Sequence, residues 1–159
     1  HYISAGAFMR PLFKFREKNM YTLKTEQSFD SAHFLADYVG KCRNIHGHRW
    51  RVIIEIQGDA LLESGEKRGM LVDFGDIKND LKKLADELDH SLIIESGSLK
   101  DATMEALRDE EFRIVEFPFR PTAENFAKYF YDRMSSLGYR VREAVVYETP
   151  NNCASYSEV

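Results

Sequence analysis

Residues 48–57 read HRWRVIIEIQ and carry the clearest alternation of apolar and polar side chains in the sequence. Apolar and polar side chains alternate along this stretch, with Trp50, Val52, Ile54 and Ile56 on one side and Arg49, Arg51, Glu55 and Gln57 on the other. A period of two with several β-branched residues is typical of a strand that buries one face. The stretch therefore predicts a strand, and no other segment has a clearer strand pattern.

Three neighbouring segments complete the predicted sheet. The same alternation predicts a strand over Tyr21–Phe29, which precedes residues 48–57 in the chain, and a last strand over Val141–Tyr147. Phe112–Phe119 is predicted to form a short extended segment between the helices. The sequence thus predicts an antiparallel four-stranded sheet.

Helical spacing of apolar residues predicts the rest of the fold. One helix is predicted over Phe74–Leu88 and a second over Ala123–Leu137, which begins after the N-cap residue Thr122. A third, short helix is predicted within Ser98–Glu110. Since no repeat, linker or charge block divides the chain, the pattern indicates one α+β domain with two helices on one face of the antiparallel sheet.

The composition is that of a folded protein without a charged macromolecular partner. Apolar residues make up 43% of the 159 residues and charged residues 30%, which excludes a disordered or low-complexity chain. Acidic residues outnumber basic ones by 26 to 22, so nucleic acid and membrane are not expected partners. Two cysteines are too few for a disulfide framework, and we expect a cytoplasmic protein.

The first residues are interpreted separately. Residues 1–19 are interpreted as an N-terminal extension that could be partly derived from an expression tag, and residues 20–159 as a single domain. Met9 and Met20 are both plausible native start residues, and the sequence leaves the choice open.

Three histidines lie at the ends of the first two predicted strands. His46 and His48 are two residues apart, so an extended backbone points both side chains to the same face. A hairpin between the two strands would bring His33 beside them. Three neutral imidazoles suit Zn²⁺, and a site with three protein ligands keeps a fourth position open, as catalytic zinc sites do.

Cys42 lies four residues before His46, and this position allows two interpretations of the metal site. A thiol beside a dication is the setting for a reactive thiolate, which favours a catalytic role. As a fourth ligand, the same thiol would instead close the site into a structural Cys-His₃ centre. On their own, Asp89-His90 reads as the end of a helix and Glu148 as a solvated strand end.

Taken together, these segments resemble the 6-pyruvoyl-tetrahydropterin synthase family. The matching motifs, in order, are Phe29-Asp30-Ser31-Ala32-His33, Cys42-x3-His46-Gly47-His48, Val72-Asp73-Phe74-Gly75-Asp76, Leu88-Asp89-His90, Pro121-Thr122-Ala123-Glu124-Asn125 and Glu148-Thr149. The resemblance runs from about residue 21 to residue 156. The spacing from Cys42 to His46 is similar to that of the family's bacterial queuosine-pathway members.

The resemblance implies a tunnelling fold, in which small sheets join into an oligomeric barrel with helices outside, as a homo-trimer or homo-hexamer. It also implies a substrate, 7,8-dihydroneopterin triphosphate. Queuosine-pathway members remove triphosphate and acetaldehyde from it and leave a carboxylate at C6 of the pterin. Other members form a pyruvoyl-tetrahydropterin or act as aldolases on dihydroneopterin, and these remain alternatives. A zinc- and pterin-binding protein without turnover is a more distant one.

By the same resemblance, the roles of single residues can be expected. His33, His46 and His48 would hold Zn²⁺, which acidifies the hydroxyls of the substrate side chain. Catalysis would fall to three residues, with Cys42 as the base and Asp89 with His90 as a proton relay. Substrate binding would fall to Glu148, which would hold the pterin ring, and to Thr122 and Glu124 near the pocket. An N-cap and a first-turn carboxylate explain the last two equally well.

Overall fold

The structure, a computed structural model, describes residues 19–158. Within them, six strands, three α-helices and one 3₁₀-helix follow one another. The strands are β1 (Tyr21–His33), β2 (His46–Gly58), β3 (Ser91–Glu95), β4 (Ile114–Phe117), β5 (Val141–Thr149) and β6 (Asn152–Tyr156). The helices are α1 (Phe74–Leu88), α2 (Asp101–Asp109) and α3 (Ala123–Ser136), and the 3₁₀-helix is Lys41–Arg43. All but one residue of the predicted extension 1–19, including Met9, lie outside the described residues.

The sheet is mixed and has six strands, so the predicted four-stranded antiparallel sheet is wrong. The strand order is β4-β3-β1-β2-β5-β6. The pairs β1/β2, β2/β5 and β5/β6 are antiparallel, whereas β1/β3 and β3/β4 are parallel. Two strands were missed. β3 is a short apolar run directly after a helix, and β6 is a largely exposed edge strand without a buried alternation.

The three predicted helices are confirmed. The bounds of α1 are as predicted, and those of α3 end one residue earlier. The side chain of Asp73 accepts a hydrogen bond from the backbone N–H of Gly75, and Thr122 caps α3 by accepting one from Asn125. These caps satisfy backbone donors that a helix start leaves without partners. No helix within residues 19–158 is long and apolar enough to cross a membrane.

The main core lies between the sheet and the pair α1 and α3. Trp50 and Ile54 are buried there, as the alternation along β2 predicts, and Phe126 of α3 packs with them. The third helix lies on the other face, because Ile94 packs against Met104 of α2 while its neighbour Ile93 belongs to the main core. Helices therefore cover both faces of the sheet, in contrast to the predicted single face.

Candidate metal centre and active site

The register of the β1/β2 hairpin brings the three histidines together. His33 pairs directly with His46, and Ser31 pairs with His48. Ligand atoms of the three imidazoles lie within 4.8 Å of one another. Cys42 is not a member of this group. The hairpin predicted from the sequence therefore builds a cluster of three nitrogen donors that could hold a metal ion.

Backbone carbonyls orient two of these imidazoles. His33 Nδ1 donates to the carbonyl oxygen of Pro121 at 2.7 Å, and His46 Nδ1 donates to that of Asn44 at 2.7 Å. Because a carbonyl only accepts, both rings carry their proton on Nδ1 and leave Nε2 free. Metal-binding histidines are held in the same way in many proteins.

Burial favours the neutral form of two of the three imidazoles, those of His33 and His48. The side chain of His33 is 1% exposed, and burial lowers its pKa from 6.5 to about 4. Burial also lowers the pKa of His48; the carboxylate of Glu148 opposes this shift and His46 adds to it. The Nε2 atoms of His33 and His48 are buried without a hydrogen-bond partner. Neutral imidazoles with unpartnered buried nitrogens fit a bound metal ion.

Trp50 forms the floor of the cluster. Its ring is fully buried, with its centroid 5.0 Å from that of His33 and 5.4 Å from that of His48. Both contacts are edge to face, and Phe126 packs on the ring from the core side at 4.9 Å. The histidines thus stand directly on the aromatic core, which restricts their rotamers.

Glu148 faces the cluster from β5. Its Oε1 atom lies 3.6 Å from Nε2 of His33 and 3.7 Å from Nε2 of His48. The pairing of β5 with β6 shifts its register between Tyr147 and Thr149, so Glu148 sits in a bulge. A bulge re-aims a side chain that would otherwise follow the strand alternation. The carboxylate and the imidazoles therefore share one space.

A cavity of about 280 Å³ adjoins this space. Its walls include four residues singled out in the sequence, namely Cys42, Thr122, Glu124 and Glu148. Cys153 lines it too. This second thiol had no functional signal in the sequence, because it lies on the strand β6 that was not predicted. The structure thus brings together residues that are more than 100 positions apart.

Asp89 and His90 lie elsewhere in the chain's own structure. The backbone N–H of Asp30 donates to Asp89 Oδ1 at 2.8 Å, and His90 Nδ1 lies 2.7 Å from Asp89 Oδ2. The Asp30 N–H is the largest cause of the lowered pKa of Asp89, and His90 adds to it. The side chain of His90 is 80% exposed and that of Asp89 is partly buried.

A second cavity, of about 780 Å³, is lined by His90 together with Ala32, Arg49 and Arg113. Ala32 and Arg49 directly adjoin metal-site histidines along their strands, so their side chains point to the other face of the sheet. His48 also lines this second cavity. Within residues 19–158, His90 and Cys42 nevertheless line different cavities. Sequence reasoning also missed Arg113, which donates to the carbonyl oxygens of residues 86, 87 and 89 at the end of α1.

A mixed sheet whose central hairpin carries three histidines beside a cavity defines an α+β protein with a candidate metal centre. The model of the 6-pyruvoyl tetrahydropterin synthase family matches residues 22–159. The chain therefore belongs to the 6-pyruvoyl tetrahydropterin synthase family.

Individual relatives agree with this assignment. The 6-carboxy-5,6,7,8-tetrahydropterin synthase of Haemophilus influenzae is 34% identical over 142 residues, which cover 87% of this chain and all of that protein. The Aquifex aeolicus protein of the same name is 36% identical over 130 residues, covering 76% of this chain and 78% of that protein. The crystal structure of 6-pyruvoyl tetrahydropterin synthase from Plasmodium vivax, 20% identical, superposes with a TM-score of 0.65 over 88% of this chain and 98% of that one. This last likeness supports the fold.

Proposed function

We propose that this chain is a zinc-dependent enzyme that converts 7,8-dihydroneopterin triphosphate and water into 6-carboxy-5,6,7,8-tetrahydropterin, acetaldehyde and triphosphate, in the queuosine pathway. The three-histidine cluster, with its unpartnered Nε2 atoms beside the cavity of Cys42 and Glu148, carries the proposal. The names of the Haemophilus influenzae and Aquifex aeolicus relatives support the choice of product. A cytoplasmic location stays a prediction from the cysteine content.

His33, His46 and His48 would hold the zinc ion. Neutral nitrogen donors are the ligands that Zn²⁺ accepts readily, and the set of three leaves room for an exogenous ligand. When bound, the ion would supply Lewis acidity for the hydroxyls of the substrate side chain. The apolar floor formed by Trp50 would keep water from the rear of the site.

Cys42 would act as the base that moves protons on the substrate side chain. Its thiol lines the cavity but does not belong to the group of close metal-ligand atoms. This placement favours catalysis over the closed Cys-His₃ centre that the spacing in the sequence left open. Lys41 and Arg43 flank Cys42 and would offer positive charge to the triphosphate, whereas Arg49 and Arg51 are engaged by Asp30 and Glu26.

Glu148 would hold the pterin ring by accepting hydrogen bonds from its 2-amino group and N3–H. A carboxylate that accepts two parallel N–H bonds fixes a flat ring in one orientation. The side chain is 32% exposed, so it can be reached from the cavity. Thr122 and Glu124 stay weaker candidates for the pocket, since the first caps α3 and the second is an exposed first-turn carboxylate.

The proton relay would come from a neighbouring copy of the chain. Asp89 and His90 do not line the cavity of Cys42 within residues 19–158, yet His90 is exposed and preorganised by its bond to Asp89. Ile45 and Phe112 line the cavity beside His90 and are 60% and 61% exposed, which is typical of a surface that a partner covers. A homo-trimer or homo-hexamer with a barrel of joined sheets would bury them and complete the site.

Removal and return of the metal test the proposal. A chelator should abolish turnover of 7,8-dihydroneopterin triphosphate, and one equivalent of Zn²⁺ per chain should restore it, because the cluster offers a single site. Full turnover by protein that is shown to be metal-free would refute zinc dependence. Binding of zinc and pterin without any product would instead favour a binding protein.

A further inference from the structure

The turn between β4 and α3 lies directly behind the buried ligand His33. The carbonyl of Pro121, in this turn, accepts the hydrogen bond from His33 Nδ1 in a buried environment. The direction of this one carbonyl therefore decides which nitrogen of His33 carries the proton. A side chain that fixes the carbonyl would act on the metal centre without touching the metal.

Asn125 fixes that carbonyl through the backbone. The Pro121 C=O belongs to the same planar peptide unit as the Thr122 N–H, and this N–H donates to the carbonyl oxygen of Arg120 at 2.8 Å. Asn125 Nδ2 donates to the same Arg120 oxygen at 2.9 Å. The Arg120 oxygen thus accepts two hydrogen bonds, one from Asn125 and one from Thr122. Its bond with the Thr122 N–H fixes the plane of the Pro121–Thr122 peptide, whose carbonyl faces His33.

Arg120 anchors the turn to the hairpin. Its Nη2 atom donates to the carbonyl oxygen of Ala36 at 2.6 Å, three residues beyond His33. The turn is therefore tied to the loop that leaves β1 as well as to the first turn of α3. A shift of the turn relative to β1 would break one of these bonds.

We propose that Asn125 is a positioning residue for the metal centre, which holds the Pro121 carbonyl in place and thereby keeps His33 with its proton on Nδ1 and Nε2 free for the metal. The inference rests on the proposed metal site and adds a residue that does not contact the metal. Partners that orient metal-binding histidines commonly control metal affinity.

The variant Asn125→Leu removes the donor and keeps a side chain of similar size. Leucine also favours a helix more than asparagine, so the start of α3 should not be weakened. Loss of a partner that orients a metal ligand typically lowers metal affinity 10- to 100-fold. Because Asn125 acts indirectly, we expect the variant to lose about tenfold in zinc affinity. Competition with a chromogenic chelator measures this affinity. Zinc affinity equal to that of the wild type would overturn the proposal.

Ser136→Ala is the matched control at the other end of α3. Its hydroxyl donates to the carbonyl oxygen of Arg133 at 2.7 Å, far from the histidines in sequence and on an exposed face. The control should keep wild-type zinc affinity. An equal loss in Ser136→Ala would show that any weakened end of α3 has this effect, and it would also overturn the proposal.

A spectroscopic measurement on metal-free protein separates this inference from the proposed function. The ¹⁵N shifts of the His33 imidazole at neutral pH should show one tautomer, protonated on Nδ1, in the wild type and a mixture in Asn125→Leu. An unchanged single tautomer in the variant would contradict the proposal. If the wild type binds no zinc, the proposed metal site is wrong, but the tautomer measurement still decides the role of Asn125. If Asn125→Leu does not fold, Asn125→Ala takes its place in both measurements.

Discussion

The buried His33 should make the metal-free protein sensitive to mild acid. In the folded state its pKa is about 4, because burial disfavours the charged ring, whereas the ordinary value is 6.5. Unfolding therefore takes up a proton between these two pH values. The stability that the neutral, buried His33 gives the folded state is fully present above pH 6.5 and is lost as the pH falls towards 4. At about 1.4 kcal/mol per pH unit over about 2.5 pH units, the free energy of unfolding should fall by about 3.5 kcal/mol from this residue alone.

Urea unfolding with a chelator present, at several pH values between 7 and 4, measures this effect. Other groups also titrate in this range, so the wild type is compared with His33→Gln, in which the titrating ring is absent. The unfolding free energy of the variant should depend less on pH, and the two curves should differ in slope only below about pH 6.5. Parallel curves would refute the conclusion that burial keeps His33 neutral.

Further results are expected from metal, thiol, carboxylate and assembly measurements. His46→Ala or His48→Ala should lose zinc and turnover together, and full zinc occupancy in both would contradict the ligand set. Cys42→Ala should keep its zinc and its melting temperature, while its turnover falls by a factor of about 10²–10⁴. Cys153→Ala, which removes the other thiol of the cavity, is the control and should stay active. Loss of zinc in Cys42→Ala would show that Cys42 is a metal ligand. Glu148→Gln should raise KM at unchanged zinc content, whereas zinc loss would assign the carboxylate to the metal. Light scattering should show a trimer or hexamer, and a fully active monomer would exclude a relay from a second copy.

The metal cluster could be predicted because strand geometry is regular. A period of two places His46 and His48 on one face, and antiparallel pairing brings His33 opposite His46. The same rule places Trp50, two residues beyond His48, beneath the cluster. This position was available from the sequence but was considered only as part of the core.

The parts that were missed depend on tertiary structure. The run at Ser91–Glu95 is too short to distinguish a strand from a buried helix end, and its pairing with β1 on one side and β4 on the other makes it a strand. The bulge at Glu148 follows from pairing with β6, a strand with no clear pattern of its own. The separation of Asp89 and His90 from Cys42 depends on which face of the sheet each loop reaches, and local sequence does not encode this.

The identity of the product distinguishes the proposed activity from the other reactions of the family. Zinc-loaded protein incubated with 7,8-dihydroneopterin triphosphate should yield 6-carboxy-5,6,7,8-tetrahydropterin, identified by mass, together with an equal amount of acetaldehyde and of triphosphate. A pyruvoyl-tetrahydropterin formed without acetaldehyde, or a dihydropterin lacking the carboxylate, would contradict the account.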